Sequence, residues 1–351
     1  MRHAGTNCGI AGGALAAGAL MNKRILRADL LLLLTAGIWG FGFVAQRSGM
    51  EHTGPLAYNG IRFLIGAFSL LPLILIGKRR AGFRALFSKG NMLFSLAAGS
   101  CVFVATVLQQ LGIMVTTAGS AGFITGFYVV LTPIFAIFLG QKTGRATWLG
   151  AAFAIAGLYF IAVADRIGAL NPGDILVLAS AAFWAVHVLL IDRLLSRGAD
   201  AILLSCGQFV VCAALMLACA FVVEPALRPF VAAFSPALLD SGAFGWLPFP
   251  ELLSGLASGS VAFPAQALIP ILYGGICSVG IAYTLQVVAQ KDAPPAHATI
   301  ILCFEGSFAA LGGFLILSEE FGPRALAGFS LMLAGMLVSQ WALIAGKKRK
   351  G

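Results

Sequence analysis

One acidic residue, Glu305, interrupts a long apolar run in the last third of the chain. If that run crosses a membrane, an ionised carboxylate near its middle costs at least ~2.5–3.5 kcal/mol. The side chain must therefore be protonated, paired with a cation, or in contact with a wet cavity. Two roles stay open: a proton-coupling or substrate-binding site, and a protonated carboxyl that hydrogen-bonds neighbouring helices.

Arg62 is the cation to test as a partner of Glu305, because it too lies inside an apolar run. It is ~5 residues from the start of its run and thus ~7–8 Å deep, given the helical rise per residue. Glu305 lies near the middle of its own run. Three alternatives fit this offset in depth: a direct ion pair, an electrostatic role in an outer vestibule, and snorkelling of the guanidinium toward the interface.

Amide and phenol side chains recur at helical spacing. Tyr283, Gln286 and Gln290 share one face of a helix, and Gln109 and Gln110 lie in an earlier apolar run. Amides in hydrocarbon seek hydrogen-bond partners. These side chains could bind a polar solute in a central cavity or bond neighbouring helices, and the sequence favours neither.

Aromatic side chains follow the same helical spacing in two other runs. Trp39, Phe43 and Gln46 share one helix face, and Trp184 and His187 share another. Aromatic faces suit stacking on amphipathic or cationic solutes, although plain packing explains each Trp as well. The His187 imidazole could titrate near neutral pH or fill a structural role.

The composition identifies the setting in which these residues must act. The chain has 351 residues, 60% of them hydrophobic and 10% charged, with a mean hydropathy of +0.95. A soluble domain is ~45–50% apolar and ~25% charged. A soluble enzyme, a disordered protein and a coiled coil are therefore disfavoured. A β-barrel is disfavoured as well, because the apolar runs are continuous rather than alternating. The fold class predicted is an all-α membrane protein.

Ten apolar runs predict ten transmembrane helices. They lie at about 29–47, 57–76, 91–113, 119–139, 147–164, 174–192, 201–223, 264–289, 296–317 and 324–345, and are numbered spans 1 to 10. Most connections are short, but the segment 224–263 carries five prolines and four charges and cannot be a buried span. It is predicted to be an outer loop, either a lid or docking surface or a tolerated insertion. His297, at the inner end of span 9, is predicted to be interfacial.

The basic residues orient these spans. With a cytoplasmic N-terminus, 18 Lys and Arg lie on the inner side and four on the outer side, which predicts an inner-membrane protein with both termini cytoplasmic. Residues 1–28 are then an N-terminal cytoplasmic tail and 346–351 a basic cytoplasmic tail. Whether translation starts at Met1 or Met21 stays open. The partners predicted for the basic clusters are anionic membrane lipids rather than nucleic acid.

The two halves of the chain resemble each other. The first half is predicted as 29–164 and the second as 174–345, with the outer loop as an insertion. Five spans is an odd number, so the halves must insert with opposite orientations, as in secondary transporters. The matches are Asp29 and Trp39 with Asp174 and Trp184 at an offset of 145, and Leu108-Gln109 with Leu285-Gln286 at an offset of 177.

Several short motifs resemble the EamA family of the drug/metabolite transporter superfamily over about 21–345. They are Trp39-Gly40, Arg62-Phe63, Leu131-Thr132-Pro133, Pro294-Pro295-Ala296, Phe304-Glu305-Gly306 and Ser318-Glu319-Glu320. The family often has Pro where Gly306 stands and Gly where Ser318 stands. The resemblance implies a ten-helix permease for small metabolites, without implying a substrate.

Motifs for enzymes and metal sites were sought and not found. The sequence lacks GxSxG, HExxH, a Walker loop and paired intramembrane carboxylates, so no enzyme activity, cofactor or metal is predicted. Six of the seven cysteines lie in apolar runs without a CxxC, as small hydrophobes do. Gly122 and Gly126 form a GxxxG, which fits a tight internal contact, a mobile helix or a homodimer.

Together these features predict a secondary transporter that moves small metabolites or drugs by alternating access, with proton-coupled efflux as one form. An uncoupled facilitator or exchanger is the first alternative, and a membrane-embedded structural subunit or lipid enzyme the second. Substrate, direction and oligomeric state stay open. The residues predicted for the solute or proton pathway are Glu305, Arg62, Gln109, Gln110, Tyr283, Gln286, Trp39, Trp184 and His187.

Overall fold

The protein is helical throughout the part that the structure describes. The computed structural model describes residues 7–50, 53–76, 88–141, 143–162, 172–234, 249–259 and 265–318, with shorter pieces of 323–338, and these residues form no strand. Eight helices in this part are long and apolar enough to cross a membrane. The prediction of an all-α, multi-pass membrane protein is confirmed.

The eight helices coincide with eight of the predicted spans and keep their numbers. Spans 1 to 4 are Lys23–Met50, Pro55–Leu75, Lys89–Ile113 and Ala118–Phe138, and spans 6 to 9 are Pro172–Ser196, Ala201–Pro225, Ala265–Ala289 and Pro295–Leu317. The helix Arg145–Ala162 occupies predicted span 5. Predicted span 10 is described only in pieces, and the basic tail 346–351 lies outside the described residues.

Two helices extend beyond their predicted ends. The first begins at Asn7, inside the predicted tail 1–28, because this stretch is rich in Ala, the best helix former. The helix of span 7 runs from Ala201 to Phe234, so the prediction that it ends before Glu224 is wrong. A second helix, Phe249–Ser258, also lies within the predicted outer loop.

Spans 4 and 9 are each broken at the same distance from their start. Span 4 consists of Ala118–Thr125 and Tyr128–Phe138, and span 9 consists of Pro295–Leu302 and Phe304–Leu317. The first piece has eight residues in both cases. At each break the backbone tightens into three-residue turns, such as the bond from the Gly306 N–H to the Cys303 carbonyl at 3.1 Å. The two breaks therefore lie at equivalent positions within their spans.

Span 8 contains a π-helix, Tyr273–Tyr283, a rare element that is frequent at functional sites. Span 1 is hydrogen-bonded to its backbone. The Trp39 indole donates to the Ser278 carbonyl at 3.1 Å, and the Thr35 hydroxyl donates to the Ala282 carbonyl at 3.3 Å. These bonds hold Trp39 at a fixed position between the two spans.

Span 1 meets span 9 through glycine. A Cβ atom built on Gly40 would lie 2.8 Å from the Glu305 carbonyl oxygen and 2.8 Å from the Ala309 nitrogen, and closer still to Phe308. The contact is largely with backbone, which cannot move aside cheaply. The missing side chain thus lets the two helices approach closely, as small residues do in membrane bundles.

We expect Gly40→Ala to lower the thermal unfolding midpoint of the purified protein by several degrees, because overpacking costs roughly 1–3 kcal/mol. Gly90→Ala is the matched control, since no atom lies within 4 Å of the added Cβ there. Equal midpoints for the two variants would contradict the close contact.

Candidate functional site

A cavity lies at the centre of the helices, where spans from both parts of the chain meet. It holds about 490 Å³ of empty space, of which about 40 Å³ is far enough from every atom to hold the centre of a water molecule. The space is therefore narrow, and a solute of several heavy atoms would need side chains to move. The lining residues are Trp39, Phe43, Gln46, Arg62, Gln109, Thr125, Tyr128, Trp184, His187, Val188, Ser278, Tyr283, Gln286, Leu302 and Glu305.

Eight of the nine residues predicted for the pathway line this one cavity. The exception is Gln110, which is fully buried away from it and whose amide has no hydrogen-bond partner in the structure. Helical spacing explains the difference, because Gln109 and its neighbour point about 100° apart around span 3. That the eight lining residues bind a solute or conduct protons stays a prediction.

The broken spans place two polar groups at the cavity. Tyr128 is the first residue after the break in span 4, and Glu305 is the second residue after the break in span 9. Tyr128 was missed by the sequence prediction, although the repeat carries a signal for it. The offset of 177 that relates Gln109 to Gln286 also relates Tyr128 to Glu305.

Arg62 is held at the cavity by aromatic rings. Its guanidinium carbon lies 5.6 Å from the centre of the Tyr58 ring and 5.2 Å from that of Phe63, distances typical of cation–π contacts. The side chain is only 2% exposed, so it does not snorkel to an interface. Within the described residues it makes no ion pair with Glu305, and its Nε has no hydrogen-bond acceptor.

Glu305 has unused hydrogen-bonding capacity. The residue is buried, and its carboxyl group lies close enough to the Tyr128 hydroxyl to interact with it, although neither the Glu305 Oε1 nor the Tyr128 hydroxyl makes a hydrogen bond of good geometry. Such groups are costly to bury without a partner. One cation and one carboxyl group therefore face the same narrow space, each with capacity left for a ligand, a proton or water.

Aromatic rings pack around Tyr283, which also lines the cavity. The ring of Trp39 is 4.6 Å from it, that of Phe209 5.8 Å and that of Trp184 6.0 Å. The Phe63 ring, 6.0 Å away, connects this group to Arg62. The cluster provides a rigid apolar wall against which a flat or apolar part of a solute could pack.

The remaining polar residues divide between the cavity and the helix contacts. His187 bonds Gln208 at 3.0 Å, and Gln109 donates to the Thr125 hydroxyl at 3.0 Å. The Gln290 amide donates to the Val188 carbonyl at 3.0 Å and so links spans 6 and 8. Gln286 faces the cavity with an Oε1 that has no partner.

The spans are joined above and below the cavity by buried polar contacts. The His297 imidazole meets the Asp29 carboxylate at 2.9 Å, where span 9 and span 1 begin. His297 is 1% exposed, because Asp29 provides a partner inside the bundle, and its position at the membrane interface stays a prediction. At the start of span 6, Asp174 accepts a bond of 2.8 Å from the Thr116 hydroxyl, and Arg47 donates to the Thr116 carbonyl at 2.9 Å.

The sequence matches a known family over most of its length. The model of the EamA-like transporter family matches residues 26–163 and 248–340. The chain belongs to the EamA-like transporter family. The eight described spans and the central cavity are thus those of an EamA-like membrane transporter.

Relatives of this EamA-like chain cover nearly all of it. An uncharacterized transporter of Archaeoglobus fulgidus is 27% identical over 90% of this chain and 86% of its own length. A probable terminal-alkyne amino-acid exporter of Streptantibioticus cattleyicolor is 25% identical over 93% of this chain and 97% of its own. A chain of known crystal structure has a TM-score of 0.66 and 18% identity, covering 89% of this chain and 96% of that one. The last similarity concerns the fold alone.

Proposed function

We propose that the protein is a secondary transporter that binds a small solute in the central cavity and exposes it alternately to the two sides of the membrane. The observation that carries this proposal is the cavity itself, with the cation of Arg62 and the carboxyl of Glu305 buried in it and not paired with each other. Two such groups are expensive inside a membrane. A bound solute or a transferred proton would give each of them a partner.

The architecture proposed is ten spans in two inverted repeats of five. Three features support it. The breaks in spans 4 and 9 follow first pieces of equal length, and Tyr128 and Glu305 occupy corresponding positions. The start of span 1 contacts the start of span 9 through Asp29, and its repeat mate Asp174 contacts Thr116, two residues before the start of span 4. Broken helices at the repeat interface are typical of solute sites in secondary transporters.

The orientation proposed has both termini on the cytoplasmic side of the inner membrane. It rests on the distribution of Lys and Arg along the chain. Reporter fusions at the two termini should therefore be found on one side of the membrane. Reporters on opposite sides would require an odd number of crossings and would leave the repeat without support.

The chemistry of the cavity favours one class of solute, a small zwitterion with an apolar or aromatic part. Arg62 can bind a carboxylate, Glu305 can bind an ammonium group, and the rings around Tyr283 can pack against the remainder. The name of the Streptantibioticus cattleyicolor relative, which specifies an amino acid, agrees with this class. Efflux coupled to protonation of Glu305 is the form of transport proposed.

A panel of solutes would test this function directly. Zwitterions with apolar side chains should raise the thermal midpoint of the purified protein, and those that do so should be transported into proteoliposomes. Transport of these solutes without any effect of a pH gradient would favour the uncoupled facilitator or exchanger. A panel in which no member binds or moves would contradict a transport function for the cavity.

Arg62→Gln should weaken binding of the active solutes by about tenfold or more, since a hydrogen bond to a charged group contributes roughly 1.5–3 kcal/mol. The loss should be restored in part for analogues in which an amide replaces the carboxylate, because these no longer need a cation. Titration calorimetry or thermal shift at increasing solute concentration would measure it. Equal losses for both kinds of ligand would show that Arg62 acts only on the structure of the cavity.

A further inference from the structure

A second concave surface lies on the outside of the bundle, between spans 3 and 7. It contains about 1050 Å³ of empty space. We name this surface the span 3–7 groove. Its lining consists of Lys89, Met92, Leu93, Ser95, Leu96, Cys206, Gly207, Val210 and Val211.

Tight contact at the floor and long side chains at the walls create the groove. A Cβ atom on Gly207 would collide with the Ser95 hydroxyl, so the helices touch there through glycine. Met92, Leu93 and Leu96 rise on one side, and more than half of each side chain is exposed. Val210 stands on the opposite side, half exposed. The walls thus turn apolar surface outward, where the bilayer supplies hydrocarbon.

The groove has a cation at one end only. Lys89 is the first residue of the span 3 helix, with the Ser88 hydroxyl as its N-cap. From Lys89 to Leu96 the helix rises about 10 Å, which is about the length of half an acyl chain. The Lys89 ammonium group and the N-terminus of the helix both favour an anion at this end.

We propose that the span 3–7 groove is a binding site for an anionic phospholipid. Its acyl chain packs between the walls, and its phosphate lies at Lys89. An anionic headgroup complements the charge of the groove, because the groove lining in the described part of the chain contains Lys89 and no Asp or Glu. The groove between span 1 and the π-helix offers a comparison, since its lining of Leu30, Leu33, Leu34, Gly37, Ile38, Phe41, Tyr273 and Phe308 contains no charged residue.

The test compares two phospholipids with identical acyl chains, phosphatidylglycerol and phosphatidylcholine, added to the purified full-length protein in detergent. Native mass spectrometry measures the fraction of protein that carries lipid. The wild type should bind phosphatidylglycerol more tightly. Lys89→Gln should weaken that binding by about fivefold, the effect expected of one surface cation, without changing the binding of phosphatidylcholine. Val210→Trp, which fills the groove, should weaken both.

Two matched variants control for general effects of charge and bulk. Lys23→Gln removes an exposed cation at the start of span 1, and Leu34→Trp fills the uncharged groove instead. Both should leave the preference for phosphatidylglycerol intact. Equal binding of the two lipids, an unchanged Lys89→Gln variant, or glycerol phosphate binding as tightly as the whole lipid would each overturn the proposal. None of these outcomes depends on the solute of the central cavity.

Discussion

Glu305→Gln is expected to abolish transport driven by a pH gradient and to leave the protein folded. The amide has nearly the same shape as the carboxyl group and can stay in the same narrow space. It cannot gain or lose a proton, so a cycle that couples solute movement to protonation stops. The measurement is flux of an active solute into proteoliposomes with and without an imposed pH gradient, together with the thermal midpoint of the variant.

Exchange of labelled for unlabelled solute separates coupling from binding in this experiment. If Glu305 serves mainly as the proton site, exchange should persist in the variant, whereas a loss of exchange would indicate that the carboxylate binds the solute. Glu251→Gln is the matched control, because Glu251 is exposed on the helix Phe249–Ser258. Full gradient-driven activity in Glu305→Gln would remove the coupling role.

Glu224→Ala should have the largest effect on stability. The Glu224 carboxylate is fully buried and accepts backbone N–H bonds from Leu56 and Ala57, each at 2.8 Å, and from Phe249 at 3.1 Å. It therefore caps the first turns of two helices from a third. Hydrogen bonds to charged groups contribute roughly 1.5–3 kcal/mol each, and their loss leaves three donors unsatisfied. We expect a loss of at least about 3 kcal/mol, or a fall in the thermal midpoint of more than about 6 °C.

Glu224→Gln refines this prediction. The amide can still accept hydrogen bonds from the span 2 backbone through its oxygen, but its NH₂ group cannot accept one from Phe249. Its midpoint should lie between those of the wild type and Glu224→Ala, while Glu251→Gln should leave the midpoint unchanged. A Glu224→Ala protein as stable as the wild type would show that the three bonds contribute little.

The sequence predicted the spans well because a bilayer imposes a simple rule. A helix that crosses it must be long and apolar, and eight of the predicted spans satisfy that rule in the structure. The residues that line the cavity could be predicted from the sequence for a related reason. Polar groups such as Arg62 and Gln286 are rare inside apolar runs, and their cost directs them toward the interior of the bundle.

The partners of polar groups could not be predicted from the sequence. Glu224 stands beside Pro225 at the end of an apolar run and resembles a loop residue, yet distant backbone donors stabilise it in the interior. His297 is buried for the same reason, because Asp29, 268 residues away, reaches it. Local composition reports the cost of burial, whereas the compensating contact depends on tertiary structure.

The π-helix of span 8 has a consequence for how the site could change. Its wider turns alter the angle at which the following residues leave the helix axis, and Tyr283 and Gln286 lie at and just beyond its end. Removing one residue from Tyr273–Tyr283 would rotate these side chains about the helix axis and turn Tyr283 away from Trp39. Insertions and deletions in this segment, and not only substitutions, would then be a route by which related transporters acquire different solutes.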